Sequence, residues 1–269
     1  MHEEIRKLFD LSGKVALITG GARHLGLDAA SVLAAAGCRV ALTSREITAA
    51  EKTADRLAQT YGTETLPIAL DHTDAAHVEE AVSLTISRFG RIDVLVNNAG
   101  GGTPGSGTPT LAERDPEDIR ELIELNLTGV LYCSRAVGRV MAEQGSGKII
   151  SIASIAGLVG RDRRVYEPSR MAPSQVDYAA AKAGVIGMTR DLAGWLSPHG
   201  ICVNAISPGG FARNLPEQFV ADYSDRTPLG RMGRYGVDLK GAVLFLASPA
   251  SDYVTGHNLV VDGGFSWWK

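Results

Sequence analysis

Cysteine is scarce in this chain: Cys38, Cys133 and Cys202 among 269 residues. They are far apart and odd in number, and no CxxC or Cys/His cluster occurs. That excludes a disulfide framework and a zinc site, so no metal is expected. Each cysteine reads as a small buried hydrophobe, and a reducing, cytoplasmic setting is expected. Basic charge is not in excess, with 27 Lys plus Arg against 30 Asp plus Glu and a net charge of -3. A nucleic-acid binder usually shows the opposite balance, so none is expected as a partner. The longest basic run, Arg161–Arg164, is interrupted by Asp162. No apolar stretch reaches the ~18–20 residues that span a bilayer, which argues against a membrane partner. Met1–Asp10 is charged and lacks the apolar region of a signal peptide.

What is present is an ordinary globular composition, 45% hydrophobic and 21% charged, able to bury a core without staples. Short apolar runs bounded by Gly, Asn or Pro predict strands at Lys14–Thr19, Arg39–Thr43, Thr65–Leu70, Asp93–Asn97, Lys148–Ile152, Ile201–Ile206 and Asn258–Val261. Helical patterns lie between them at Leu25–Ala36, Thr48–Thr60, Ala75–Phe89, Pro116–Met141, Val176–Leu196 and Val237–Ala247. Strict alternation predicts an α/β fold: one doubly wound, Rossmann-like domain over residues 1–269 with a seven-stranded parallel sheet. No repeat or linker interrupts it. Gly101–Thr110 (GGTPGSGTPT) follows a strand at its carboxyl end, where loops of open α/β sheets face the ligand crevice. A plain surface loop is the competing reading.

Thr19-Gly20-Gly21-Ala22-Arg23-His24-Leu25-Gly26 follows the first strand and opens the first helix. In that setting Gly20 permits a tight turn and Gly26 a close helix–strand contact. The helix N-terminus then offers free N–H groups to a pyrophosphate. This loop is similar to the TGxxxGxG motif of the short-chain dehydrogenase/reductase family. Asn97-Asn98-Ala99-Gly100 resembles that family's NNAG, and Asn126, Ser154, Tyr178 and Lys182 resemble its catalytic set. Asn204-Ala205-Ile206-Ser207-Pro208-Gly209 and Val261-Asp262-Gly263-Gly264 resemble its later motifs. The likeness runs from about Leu11 to Gly264. It implies cofactor contacts at Gly20, Arg23, His24, Leu25, Gly26, Asn98, Ala99, Gly100, Pro208 and Gly209. It also implies an adenine contact at Asp71, with His72 beside it, and a homotetramer. Phe265-Ser266-Trp267-Trp268-Lys269 is compatible with subunit burial, since two exposed tryptophans would form a costly patch.

Three features depart from the family pattern. His24 stands where the middle glycine usually sits. Arg213 stands where a threonine often follows the Pro-Gly pair. Ser154 and Tyr178 are 24 positions apart, about twice the common separation, and the extra length is an extended substrate-side loop, Gly160–Val176.

Tyr178 and Lys182 form an i, i+4 pair on one face of a helical pattern. A nearby ammonium favours the phenolate of a tyrosine whose ordinary pKa is ~10. Tyr178 is thus the expected acid/base, exchanging a proton with an alcohol or ketone. Ser154 would polarise the substrate oxygen. The resemblance implies that Lys182 also holds the ribose and that Asn126 holds a relay water. Tyr166 competes for the base role, being nearer the usual distance from Ser154. Its i+4 residue is Arg170 with Pro168 between, so the two would not share a helix face.

An acid ending the second strand would select NAD(H). Here the chain reads Thr43-Ser44-Arg45. Arg45, Ser44 and Arg23 suit a phosphate, so NADP(H) is expected as preferred cofactor, with NAD(H) usable. The expected activity is hydride transfer to or from a small-molecule alcohol or ketone, such as a sugar acid or polyol; gluconate 5-dehydrogenases look similar at Phe9–Lys14 and Ser44-Arg45. The rivals are a 3-oxoacyl-carrier-protein reductase and, from another class, a non-catalytic cofactor-binding regulator or scaffold. Arg161, Arg163, Arg164 and Arg170 in the long loop could meet an anionic substrate; solvated arginines or a subunit contact are the competing reading.

Overall fold

The computed structural model describes residues 2–102, 111–171 and 175–267. Seven strands form one parallel sheet: β1 (Val15–Ile18), β2 (Arg39–Ser44), β3 (Thr65–Ala69), β4 (Val94–Asn97), β5 (Gly147–Ile152), β6 (Ile201–Pro208) and β7 (Asn258–Val261). Their order is β3-β2-β1-β4-β5-β6-β7. The chain winds outward from β1 to β3, then returns to β1's other side at β4. That reversal opens a crevice at the carboxyl ends of β1 and β4, where open α/β sheets bind ligands.

The nine α-helices of the described residues are α1 (Glu3–Phe9), α2 (His24–Ala35), α3 (Ile47–Tyr61), α4 (Ala75–Phe89), α5 (Pro116–Ile123), α6 (Gly129–Gln144), α7 (Val176–Leu196), α8 (Glu217–Asp225) and α9 (Lys240–Ala247). Side chains of a strand alternate between faces, and β1 divides its residues accordingly. Ala16 and Ile18 pack with α2, α3 and α9, whereas Val15 and Leu17 pack with α4, α6 and α7. Both faces are covered, which is why β1 is apolar throughout.

The expected strands and most helices stand within one or two residues of their predicted bounds. Four elements differ. The helix expected over Pro116–Met141 is interrupted by a π-helical turn at Glu124–Thr128. Glu124–Thr128 (ELNLT) contains no Pro or Gly to mark a break, so the sequence reads as one helix. Two helices escaped the pattern: α1, which buries no residue, and α8, which buries Phe219 and Tyr223. The helix expected from Val237 begins at Lys240.

The segment expected as a loop over Gly160–Val176 ends one residue earlier, because Val176 opens α7. It also contains a 3₁₀ turn at Arg163–Val165, whose Val165 packs with Phe219, Tyr223 and Met232. Of the Gly101–Thr110 stretch expected at the crevice, residues 103–110 lie outside the described residues, as do residues 172–174 and Trp268. No helix among the described residues is long and apolar enough to cross a membrane.

Candidate active site

The glycine loop is shaped by its neighbours. A Cβ at Gly26 would sit 2.2 Å from the Gly20 carbonyl oxygen and 2.4 Å from Asn98 Nδ2. Only a glycine lets α2 start so close to β1. The Thr19 hydroxyl accepts from the backbone N–H of Asn98 and of Ala99, and Asn98 Nδ2 donates to the carbonyls of Thr19 and Gly20. Asn98 and Ala99 therefore brace the loop. No side chain caps α2, which leaves its first turn open to an anion. These residues fit a dinucleotide.

Two of the departures meet here. His24 opens α2 at a positive φ of 53°, and Arg213 Nη1 contacts both its ring nitrogens, with Nε2 at 3.1 Å. Burial and then Arg213 hold the His24 imidazole below its ordinary pKa. The ring also lies 5.7 Å from that of Tyr235. Arg213 and His24 thus face the loop as a pair. Leu25 packs into the core beside α2, and Pro208 and Gly209 end β6 with the Gly209 N–H donating to Val261.

At the far end of β2, Ser44 Oγ accepts from the Glu46 N–H. Among the described residues no carboxylate pairs with Arg23 or Arg45. The Asp71 carboxylate turns back to accept from the N–H and hydroxyl of Thr73, which holds its pKa low. The His72 side chain is buried, and its Nε2 lies 2.8 Å from the carbonyl of Leu125 in the π turn. A neutral ring bonded to a carbonyl must carry its proton there. The imidazole packs under Gly129.

Around the candidate acid/base, α7 carries Tyr178 and Lys182 on one face. Lys182 is buried, and its Nζ donates to the Ile152 carbonyl at 2.8 Å and lies 5.8 Å from the Tyr178 ring centre. Burial lowers its pKa to about 8. Burial raises that of Tyr178, while a hydrogen bond with Ser154 and the charge of Arg161 act the other way. Two cations flank the phenol ring, Arg161 at 5.6 Å and Lys182 at 5.8 Å from its centre, and the sequence had pointed only to Lys182. Ser154 ends β5's continuation and caps a 3₁₀ turn by accepting from Ala156.

Asn126 sits in the π turn, fully buried. Its Nδ2 donates to the Gly101 and Leu122 carbonyls, and its Oδ1 accepts from the Gly101 N–H. Its amide thereby anchors the chain after Gly100 to the π turn.

A cavity of about 170 Å³ opens beside Tyr178. Ser154, Arg161, Tyr166, Tyr178, Tyr223 and Phe265 contribute to its wall. Tyr166 faces it from the long loop, with its ring 5.1 Å from Phe219, and lies in no helix with Arg170. Phe265 stacks on Tyr223 at 4.3 Å, and the Tyr223 hydroxyl accepts from the Gly210 N–H. Sequence reading missed Tyr223 and Phe265 because α8 and the tail join the site only through tertiary packing. It also missed the buried Arg114–Asp177 pair, 2.6 Å apart next to Tyr178. A charged residue abutting the YxxxK pattern was the available signal.

Comparison with known proteins agrees with this geometry. A family model described as enoyl-(acyl carrier protein) reductase matches residues 20–266. The chain is 38% identical over 257 residues to a 3-oxoacyl-[acyl-carrier-protein] reductase of Synechocystis, covering 94% of this chain and 97% of that one. It is 38% identical over 268 residues to a 2-dehydro-3-deoxy-D-gluconate 5-dehydrogenase of Dickeya dadantii, covering 97% and 98%. A solved gluconate 5-dehydrogenase of Burkholderia cenocepacia, in complex with NADP and tartrate, superposes with a TM-score of 0.87 at 35% identity, covering 97% and 98%. With the crevice, the glycine cradle and the Ser154, Tyr178 and Lys182 cluster described above, these matches make the chain an oxidoreductase of the short-chain dehydrogenase/reductase family.

Proposed function

We propose that this enzyme transfers a hydride between NADP(H) and a secondary alcohol or ketone, with a sugar acid or polyol as the substrate class. The observation that carries the reading is the convergence of Ser154 and Tyr178 on one cavity, with buried Lys182 behind the tyrosine. When bound, the nicotinamide supplies the hydride in reduction and accepts it in oxidation. Gly20, Gly26 and the uncapped start of α2 would hold its pyrophosphate, and Lys182 its ribose. Arg23, Ser44 and Arg45 would meet the 2′-phosphate, a role supported by the absence, among the described residues, of a carboxylate partner for either arginine.

Ser154 donates to the substrate oxygen and polarises the carbonyl. In reduction the Tyr178 Oη–H bond breaks and its proton goes to that oxygen as the hydride adds to the carbon. The ketone thereby becomes the alcohol, and Tyr178 is left as the phenolate. In oxidation the phenolate takes the proton back. Because burial keeps Tyr178 protonated in the free enzyme, reduction starts from the resting state without a prior ionisation.

The relatives include 3-oxoacyl-carrier-protein reductases, so that activity is the second reading, and a thioester ketone belongs in any assay. A homotetramer is part of the same proposal, supported by the 81% exposure of Trp267 and 69% of Trp195. The test is Tyr178→Phe assayed on a ketone panel. We expect kcat to fall by at least ~10²–10⁴ with NADPH binding retained, since that is the usual worth of a placed acid. Tyr166→Phe should do much less, and the reverse ranking would transfer the role to Tyr166.

A further inference from the structure

The long loop before α7 carries four arginines, and the fold treats them differently. Arg164 is committed to Asp162, with its Nε and Nη2 donating to the two carboxylate oxygens at 2.8 and 2.9 Å. Arg226 approaches the same carboxylate at 3.8 Å. Arg163 is exposed, and Arg170 lies at a turn with a positive φ of 49°. Arg161 alone of the four turns its guanidinium to the reaction centre. Its central carbon lies 5.6 Å from the Tyr178 ring centre, and it lines the cavity that Ser154 and Tyr178 share.

Its bonding is incomplete. Nη1 of Arg161 is shut off from solvent and has no hydrogen-bond partner, and no carboxylate among the described residues pairs with this side chain. A guanidinium donor deprived of both water and an acceptor is costly, more so than a neutral donor because the group is charged. The carboxylate nearest in the wall, Asp162, is already neutralised by Arg164 and Arg226. The remaining wall near Arg161 is Val159, Val165, Tyr166 and Phe265, which offers carbon and ring edges but no counter-charge. A cavity so built carries net positive charge beside the group that handles the proton.

We propose that Arg161 is the carboxylate-recognising residue of the substrate pocket, and that the enzyme's substrate is an oxo acid or the corresponding hydroxy acid. A guanidinium fork pairs with a carboxylate through two parallel N–H···O bonds, and it fixes orientation as well as charge. With the carboxylate on Arg161 and the carbonyl oxygen on Ser154 and Tyr178, the substrate is held at two points. A thioester ketone has no anion at that place and leaves the Arg161 donor unpaired. This rests on the reductase reading above and sharpens it to a substrate class.

The experiment compares pyruvate, acetoacetate and levulinate with their methyl esters as substrates for NADPH oxidation, using the wild type, Arg161→Gln and Arg161→Lys. NADPH binding is followed separately by fluorescence titration. We expect the wild type to favour at least one acid over its ester. Arg161→Gln should lose roughly 100-fold in kcat/KM on that acid, the scale of a charge-assisted bidentate contact, and at least tenfold less on the ester. Arg161→Lys should recover part of the loss, because it restores charge without the fork. Equal loss on acid and ester would mean that Arg161 acts on Tyr178 and would overturn the assignment. Preference of the wild type for the esters would overturn it while leaving the reductase reading intact. Binding of NADPH with no turnover of any acid or ester would overturn both.

Discussion

Tyr178, the proposed acid/base, is subject to opposing influences at single-residue scale. Burial favours the neutral phenol, and Ser154 and Arg161 favour the phenolate. Lys182 is affected more simply, since burial alone brings its pKa down to about 8. A lysine whose pKa is lowered keeps its ammonium below that value and loses it above. Proton supply to Tyr178 through Lys182 should fail on the alkaline side. We therefore expect kcat/KM for ketone reduction to be level near neutrality and to decline as pH rises through about 8. A profile that stays level to about pH 10, the ordinary range of tyrosine and lysine, would remove Lys182 from the relay. The residues themselves were legible in sequence, because the YxxxK spacing puts both on one helix face. Their electrostatic environment was not, because Arg161 reaches Tyr178 only through the folding of the long loop.

The element most directly responsible for holding the site is the start of α7. Asp177 precedes the acid/base and pairs with Arg114, both almost fully buried. The pair ties the segment after residue 110 to the helix that carries Tyr178. Removing one partner leaves a buried charge without compensation, which costs about 3–5 kcal/mol. Arg114→Met should lower the urea midpoint accordingly, and adding Asp177→Leu to it should restore most of the loss. If the single variant unfolds at the wild-type midpoint, the pair contributes nothing to holding α7. On the opposite side, the π turn is gripped by His72 at Leu125 and by Asn126 at Gly101. The sequence predicted one continuous helix here, since ELNLT contains no Pro or Gly and a single π turn needs no breaking residue.

At the scale of the whole molecule, binding to the native state alone raises its stability in proportion to the logarithm of ligand over Kd. Cofactor choice can therefore be read from thermal unfolding without any substrate. NADPH should raise Tm more than NADH at equal concentration, and Arg45→Asp should abolish the difference by repelling the 2′-phosphate. A larger rise with NADH for the wild type would reverse the expected preference. The prediction depends on the sheet reversal between β1 and β4, which brings the ends of β1, β2 and β4 to one crevice.

The sequence by itself determined the sheet. Seven short apolar runs alternating with helical patterns leave few arrangements other than a parallel sheet covered on both faces, and β1's division between two cores follows from strand geometry alone. It also determined the glycine loop, because Gly26 stands where a Cβ would strike the backbone of Gly20. Tertiary structure decided what each remaining side chain faces. His72 stands beside Asp71 in sequence, yet it turns inward to the π turn. Four arginines in one loop are equivalent as letters, and only packing separates Arg164, neutralised by Asp162, from Arg161, whose guanidinium is carried over Tyr178. Helix and strand periods are local and written every few residues, whereas burial and charge pairing arise between segments far apart in the chain.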